Sequence, residues 1–186
     1  IFAGFVSKVD MDPGAFSGLC SVKRGVRIMG KDRETENTPE RLLARAYALR
    51  NDNPEETLKL YADWAETYDQ TMIDGLAYRS PRRIAALAAV TEPRRDARVL
   101  DVGCGTGLLA DCLRGEGFSR IAGLDYSAPM LAVAKREGRI EEAFLRDLNA
   151  PLEMEAECYD MLASTGTFTH GHVGAGCLPG LLALLV

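Results

Sequence analysis

The stretch from Arg98 to Ala110, R-V-L-D-V-G-C-G-T-G-L-L-A, constrains this chain more than any other. Val99, Leu100 and Val102 form a short apolar run suited to a buried parallel strand. Gly103, Gly105 and Gly107 follow at once, and Leu108-Leu109-Ala110-Asp111-Cys112-Leu113 then has the amphipathic pattern of a helix. A strand, a glycine turn and a helix in that order bring backbone N–H groups up to a nucleotide-like ligand. Glycine suits the turn because a Cβ would obstruct close approach and penalise positive φ. The spacing is G-x-G-x-G, with Leu108 standing where the dinucleotide pattern G-x-G-x-x-G needs its third glycine, so a nicotinamide dehydrogenase is disfavoured. Asp101 ends the apolar run two residues before the first glycine, where a carboxylate can hold the loop amides or meet a positively charged ligand tail.

A second strand, Ile121-Ala122-Gly123-Leu124, closes on Asp125. That acid lies about twenty residues beyond the glycine loop, where nucleotide-binding α/β folds place the carboxylate that accepts two ribose hydroxyls. Ser127 is placed to cap the helix that follows. Glu142–Leu145 reads as a third short strand ending near Asp147, and Tyr159–Ala163 as a fourth. The segment Ser164 to His172, which includes Thr165, then lies at the carboxyl end of that strand, over the cleft.

These residues resemble the first motifs of the class I methyltransferases that use S-adenosylmethionine. Their opening motif runs apolar, apolar, acidic, apolar, Gly-x-Gly-x-Gly, as in Leu100 to Gly107, and D-x-S-x-x-M-L recurs as Asp125 to Leu131. The sequence Tyr61-Ala-Asp-Trp-Ala-Glu-Thr-Tyr68-Asp69 is similar to the helix many small-molecule members carry ahead of the cofactor domain as a lid. The resemblance implies S-adenosyl-L-methionine as cofactor. It also implies binding roles for Tyr68 near the methionine end, Asp101, Gly103, Gly105 and Gly107 in the loop, and Asp125 on the ribose. Tyr126 and Met130 would flank the adenine, Asp147 and the Leu148 amide would meet its edge, and Thr165 would border the cleft. The segment after strand four does not read N/D-P-P-Y, so the signature of many base and amide amino-methyltransferases is lacking.

The expected fold is α/β: a Rossmann-like, doubly wound parallel sheet, truncated after its fourth strand, with N-terminal helices. Residues 1–40 are expected to be poorly ordered, 41–95 to form a helical lid, and 96–186 to form the cofactor-binding domain with its C-terminal part missing. Helices are expected from Thr38-Pro39, capped by Thr38, with Leu42, Leu43, Ala46 and Leu49 inward, and from Asp52 or Asn53, with Leu58, Tyr61, Ala62 and Ala65 inward. Ser80-Pro81 is expected to cap a third, burying Ile84, Leu87 and Val90. Leu178–Val186 reads as the helix after strand four, which would leave one sheet edge unpaired.

Composition narrows the function classes. The net charge of −5 argues against a protein that grips nucleic acid by bulk charge. No apolar run reaches membrane-spanning length. The five cysteines, Cys20, Cys104, Cys112, Cys158 and Cys177, contain no C-x-x-C, which fits reduced thiols in a cytoplasmic setting. His170 and His172 are the only histidines; without a third ligand no metal site is expected, leaving a general base or a solvated loop as their readings. The expected activity is methyl transfer to a small molecule, with oligomeric state open. The alternative is a non-catalytic cofactor-binding or interaction module.

Overall fold

A computed structural model describes residues 39–48, 54–75, 77–168 and 173–186. The caps expected at Thr38 and at Asp52 or Asn53, the inward-facing Leu49, and His170 and His172 lie outside these residues, and the side chain of Leu43 is likewise not described. Helices α1 (Pro39–Ala48) and α2 (Pro54–Trp64) come first, then a short helical turn α3 (Tyr68–Gln70) running into a π-helical turn, Thr71–Gly75. Helix α4 (Ser80–Thr91) leads to β1 (Arg98–Val102), α5 (Leu108–Gly115), β2 (Arg120–Asp125), α6 (Ala128–Arg136), β3 (Glu142–Leu145) and β4 (Met161–Ala163). A 3-10 turn (Ala175–Cys177) and α7 (Leu178–Leu182) follow.

The four strands form one sheet in the order β3-β2-β1-β4, with every pairing parallel. Strands β1 and β2 are central and nearly continuous in apolar character, as burial on both faces requires. The period of two sorts them. Val99 and Ile121 pack with α4, α5 and α6 on one face, while Leu100, Val102, Ala122 and Leu124 pack with Leu181 and Leu184 on the other. Asp101 belongs to the α5 face, paired in register with Gly123. Among the described residues no helix is long and apolar enough to cross a membrane.

Two expected helix faces are turned from where their leucines placed them, and a third helix is shorter than expected. In α4 the buried residues are Pro81, Ile84, Ala85 and Ala88, whereas Leu87 is 40% and Val90 83% exposed. The alanines let α4 come close to α5, and a close approach buries more neighbouring surface than a single protruding leucine would. In α2 the fully buried pair is Leu60 and Trp64, packed on Leu42 of α1, and Leu58 stands 38% exposed. Helix α7 is short: residues 183–186 turn back, and Leu185 makes a parallel bridge to Tyr159 beside the start of β4. The edge expected to be bare is therefore covered at that end, with the Glu157, Cys158 and Tyr159 amides donating to Ala183 and Leu184 carbonyls.

The expected caps also differ. Arg79 occupies the cap position of α4 and Ser127 that of α6, neither making a side-chain cap bond. The Ser127 hydroxyl is buried without a partner, and its backbone N–H instead donates to Asp125 Oδ1 at 2.9 Å.

Candidate functional site

A cavity of about 460 Å³ opens at the carboxyl ends of β1 and β2, the place where open α/β sheets bind ligands. Its lining includes nine of the eleven residues singled out from the sequence: Tyr68, Gly103, Gly105, Asp125, Tyr126, Met130, Asp147, Leu148 and Thr165. Asp101 and Gly107 are the two that do not line it.

The glycine loop works through bare surface more than through free donors. The N–H groups of Gly103 and Cys104 both donate to the Leu124 carbonyl, at 2.7 and 3.0 Å, and that of Gly105 donates to Asp125 Oδ2 at 2.9 Å. The three glycines all have positive φ, but each is needed for a different reason. A Cβ on Gly103 would lie 2.1 Å from Thr167 Oγ1, so this position lets the loop after β4 close over β1. A Cβ on Gly107 would meet Arg139 Cβ at 3.1 Å and Ala134 Cβ at 3.2 Å, so this position admits Arg139 and α6. A Cβ on Gly105 would meet nothing within 4 Å and would project into the space beside the cavity. Gly105 is therefore the one of the three whose missing Cβ leaves open space beside the cavity.

Asp125 is the pivot of the site. One of its oxygens holds the glycine loop and the other caps α6, while the carboxylate still lines the cavity at 9% exposure. The loop-holding role expected of Asp101 thus falls to Asp125. Asp101 is fully buried beneath the loop, and neither of its oxygens has a hydrogen-bond partner of ordinary geometry. Burial pushes its carboxyl up to about 8; the Ala110 backbone N–H partly opposes this and the Asp125 carboxylate adds to it.

Aromatic side chains of α2 and α3 border the cavity. Tyr61 and Tyr68 both line it, with ring centroids 6.3 Å apart, and Trp64 meets Tyr68 edge-on at 5.0 Å. Exclusion from water pushes the Tyr61 phenol up to about 12 and that of Tyr68 well above its ordinary value, with Asp125 nearby adding to both. These phenols stay protonated at neutral pH and act as donors and as apolar surface. Tyr126 is raised in the same way by burial, then by Tyr61, Asp125 and Asp147. At the rim, Asp147 is exposed, and its Oδ1 accepts from the Asn149 amide and side chain at 2.8 and 3.1 Å. Leu148 beside it is buried.

Several contributors escaped the sequence reading. Thr57 enters the lining from α2 and Arg146 from the end of β3. Tyr78 is hydrogen-bonded to the Thr165 side chain and stands 3.1 Å from the space a Gly166 Cβ would fill. Asp69, next to Tyr68, accepts from Thr106 Oγ1 and from Arg139, both at 2.5 Å. The text Tyr68-Asp69 followed by G-C-G-T-G offered a hint, an acid and a hydroxyl in two motifs meant to meet, but Arg139 carried no signal. Among the described residues no cluster of three or more His, Cys, Asp or Glu could hold a metal ion.

Comparison with known proteins agrees with this architecture. Residues 99–182 match the methyltransferase-domain family. Human methyltransferase-like protein 27 is 35% identical over 129 residues, which are 68% of this chain and 52% of that protein. The chain therefore spans about half the length of the curated relative it matches. Among solved structures, a Methanococcus maripaludis protein provisionally classed as an S-adenosyl-L-methionine-dependent methyltransferase superposes with a TM-score of 0.55 at 20% identity, covering 67% of this chain and 58% of that one. The DhpI complex with S-adenosylhomocysteine superposes with a TM-score of 0.52 at 23% identity, covering 69% and 62%. At that identity the structural likeness speaks for the fold. With the matched domain, the human relative and the fold in agreement, residues 99–182 of this chain are a methyltransferase domain built on a Rossmann-like parallel sheet.

Proposed function

We propose that this chain binds S-adenosyl-L-methionine in the cavity beside Gly105 and Asp125 and belongs to an enzyme that methylates a small molecule. The observation that carries the reading is one cavity bounded at once by a Cβ-free loop, the carboxylate at the end of β2 and two tyrosines from the preceding helices. The residues fit the cofactor. Asp125 would take the ribose hydroxyls, Tyr126 and Met130 the faces of the base, and Asp147 with the Leu148 amide its polar edge. Gly103 and Gly105 would pass beneath the sugar, with Tyr68 and Thr165 toward the methionine end. The bound sulfonium supplies an already electrophilic methyl group. The protein then has to bind, orient and exclude water, and alignment alone can be worth about 7–11 kcal/mol of barrier. Tyr61 and Tyr68, neutral and shut from water, suit that task better than proton abstraction. An acceptor of modest size is supported by the lid over the cavity and by a net charge of −5, which disfavours a polyanionic substrate.

The test is calorimetric titration of the full chain with S-adenosylhomocysteine and, separately, with NAD. Saturable binding of the first and none of the second is expected. Equal binding of NAD, or heat from neither, would refute the reading.

A further inference from the structure

The lid segment is tied to the glycine loop by a charged cluster that lies outside the cavity. Asp69 Oδ1 accepts from Thr106 Oγ1, inside the loop, and Asp69 Oδ2 accepts from Arg139 Nη1, each at 2.5 Å. The same Arg139 nitrogen donates to the Thr106 carbonyl at 2.9 Å. The three residues are thus mutually bonded although they come from the lid, the β1–α5 loop and the segment after α6. The site is sheltered: Arg139 and Asp69 side chains are 16% and 25% exposed, and Thr106 is buried. Shelter of this degree makes the pair stronger than a surface ion pair such as Arg136 with Glu66, whose side chains are 54% and 71% exposed. The path of Arg139 is itself provided for, because any Cβ at Gly107 would crowd its Cβ and Cδ.

Asp69 adjoins Tyr68, and Tyr68 is the lid ring that lines the cavity. Trp64 and the π-helical turn form the other support of that ring: Trp64 packs edge-on against it and donates from Nε1 to Thr71 Oγ1 at 3.3 Å. A π-turn at a helix end is a deformable element. Without Asp69 the ring would keep its packing on Trp64, Tyr61 and Met130 but lose its tie to the glycine loop.

We propose that Asp69 is a positioning residue: through Thr106 and Arg139 it latches the lid onto the glycine loop, fixes Tyr68 over the cavity and so sets cofactor affinity. The inference rests on the cavity being the cofactor site. It makes the affinity depend on residues that do not touch the ligand, because the lid and the loop are brought to their binding geometry before the ligand arrives.

Trp64 is the single tryptophan of the chain and reports on this packing directly. The experiment uses the full chain, wild type and the variants Asp69→Asn, Arg139→Met and Arg139→Lys. It measures S-adenosylhomocysteine affinity by calorimetry, Trp64 emission with acrylamide quenching, and thermal unfolding. Asp69→Asn and Arg139→Met should each weaken binding about tenfold, the worth of one charge-assisted hydrogen bond. The double variant should be little weaker than either alone, because one latch is lost only once. Arg139→Lys should recover most of the affinity. Quenching of Trp64 in the ligand-free protein should rise in the two weakened variants. A variant that unfolds at lower temperature but binds within about twofold of wild type, with Trp64 unchanged, would reduce the cluster to a structural contact and overturn the proposal. Wild type that binds and variants that bind equally would sink the latch alone; wild type that fails to bind would sink the cofactor assignment and the latch with it.

Discussion

Replacing Asp101 by Asn should stabilise the protein increasingly as pH rises. Asp101 is fully buried in β1, its two oxygens lack ordinary hydrogen-bond partners, and burial pushes its carboxyl up to about 8 from an ordinary 3.8. In the folded state the group therefore keeps its proton across a range in which the unfolded chain has given it up. A raised folded value means stability is fully present below about pH 4 and drains away as pH climbs through 8. Each unit of difference is worth about 1.4 kcal/mol. Between pH 5 and pH 8 the loss from this one group amounts to about 3–4 kcal/mol, set against a domain stability of about 5–15 kcal/mol. Asn has nearly the shape of the protonated acid and carries no proton to lose.

The assay is urea unfolding of wild type and Asp101→Asn at half-unit steps from pH 5 to pH 8.5, followed by circular dichroism. The informative quantity is the difference between the two proteins, since every other titrating group cancels in it. That difference should grow in favour of the variant by about 3–4 kcal/mol from pH 5 to pH 8. Parallel stability curves would refute the reasoning and would mean that Asp101 is ionised in the fold, held by a cation or donor near the loop. Ligand binding adds a second reading. A cationic ligand tail near Asp101 would favour its ionised form, so binding at pH 7 should release a proton in wild type and none in the variant, visible as a buffer-dependent heat.

Two further outcomes separate the glycines and the pivot. Gly105→Val should weaken S-adenosylhomocysteine binding by at least about tenfold with only the cost of a strained φ, whereas Gly103→Val, which must displace Thr167, should lower the unfolding temperature first; the reverse ranking in calorimetry and thermal unfolding would reject the assignment of Gly105 to the ligand. Asp125→Ala should weaken binding by about 1.5–3 kcal/mol and also destabilise the ligand-free chain by a similar amount, because it frees the Gly105 and Ser127 amides; an unchanged unfolding temperature would contradict its bracing role.

The parts of this site that were legible in the sequence are those whose partners lie close along the chain or whose constraint is set by one residue type. Positive φ needs glycine, so Gly103, Gly105 and Gly107 announced a turn, and the carboxyl end of an apolar strand announced Asp101 and Asp125. The strands followed from the same local rule, with β3 found within its bounds at Glu142–Leu145. The helix faces were less legible. Alanine carries little hydrophobic weight in a periodic pattern, yet Ala85 and Ala88 are buried and Leu87 and Val90 are not, because close helix approach is decided by the partner surface. Gly123 makes the same point: a Cβ there would lie 2.7 Å from Cys104 Sγ and 2.9 Å from Ile140 Cδ1, a constraint that exists only once β1 and β2 are paired.

The division of labour between Asp101 and Asp125 is the clearest case of a role that sequence position alone could not assign. Both acids end apolar strands, and both precede a turn into a helix. Their registers differ, however. Asp101 pairs with Gly123 in the middle of the sheet and points to the face that α5 covers, so it is enclosed by the helix its own loop begins. Asp125 pairs with Leu145 at the last rung of β2, where the sheet ends and the loop amides turn outward. Two rungs of register therefore separate the carboxylate that meets the cavity and backbone donors from the one that is shut in. The enclosed one is driven toward its neutral form, and the outer one faces the cavity while bracing the loop beneath it.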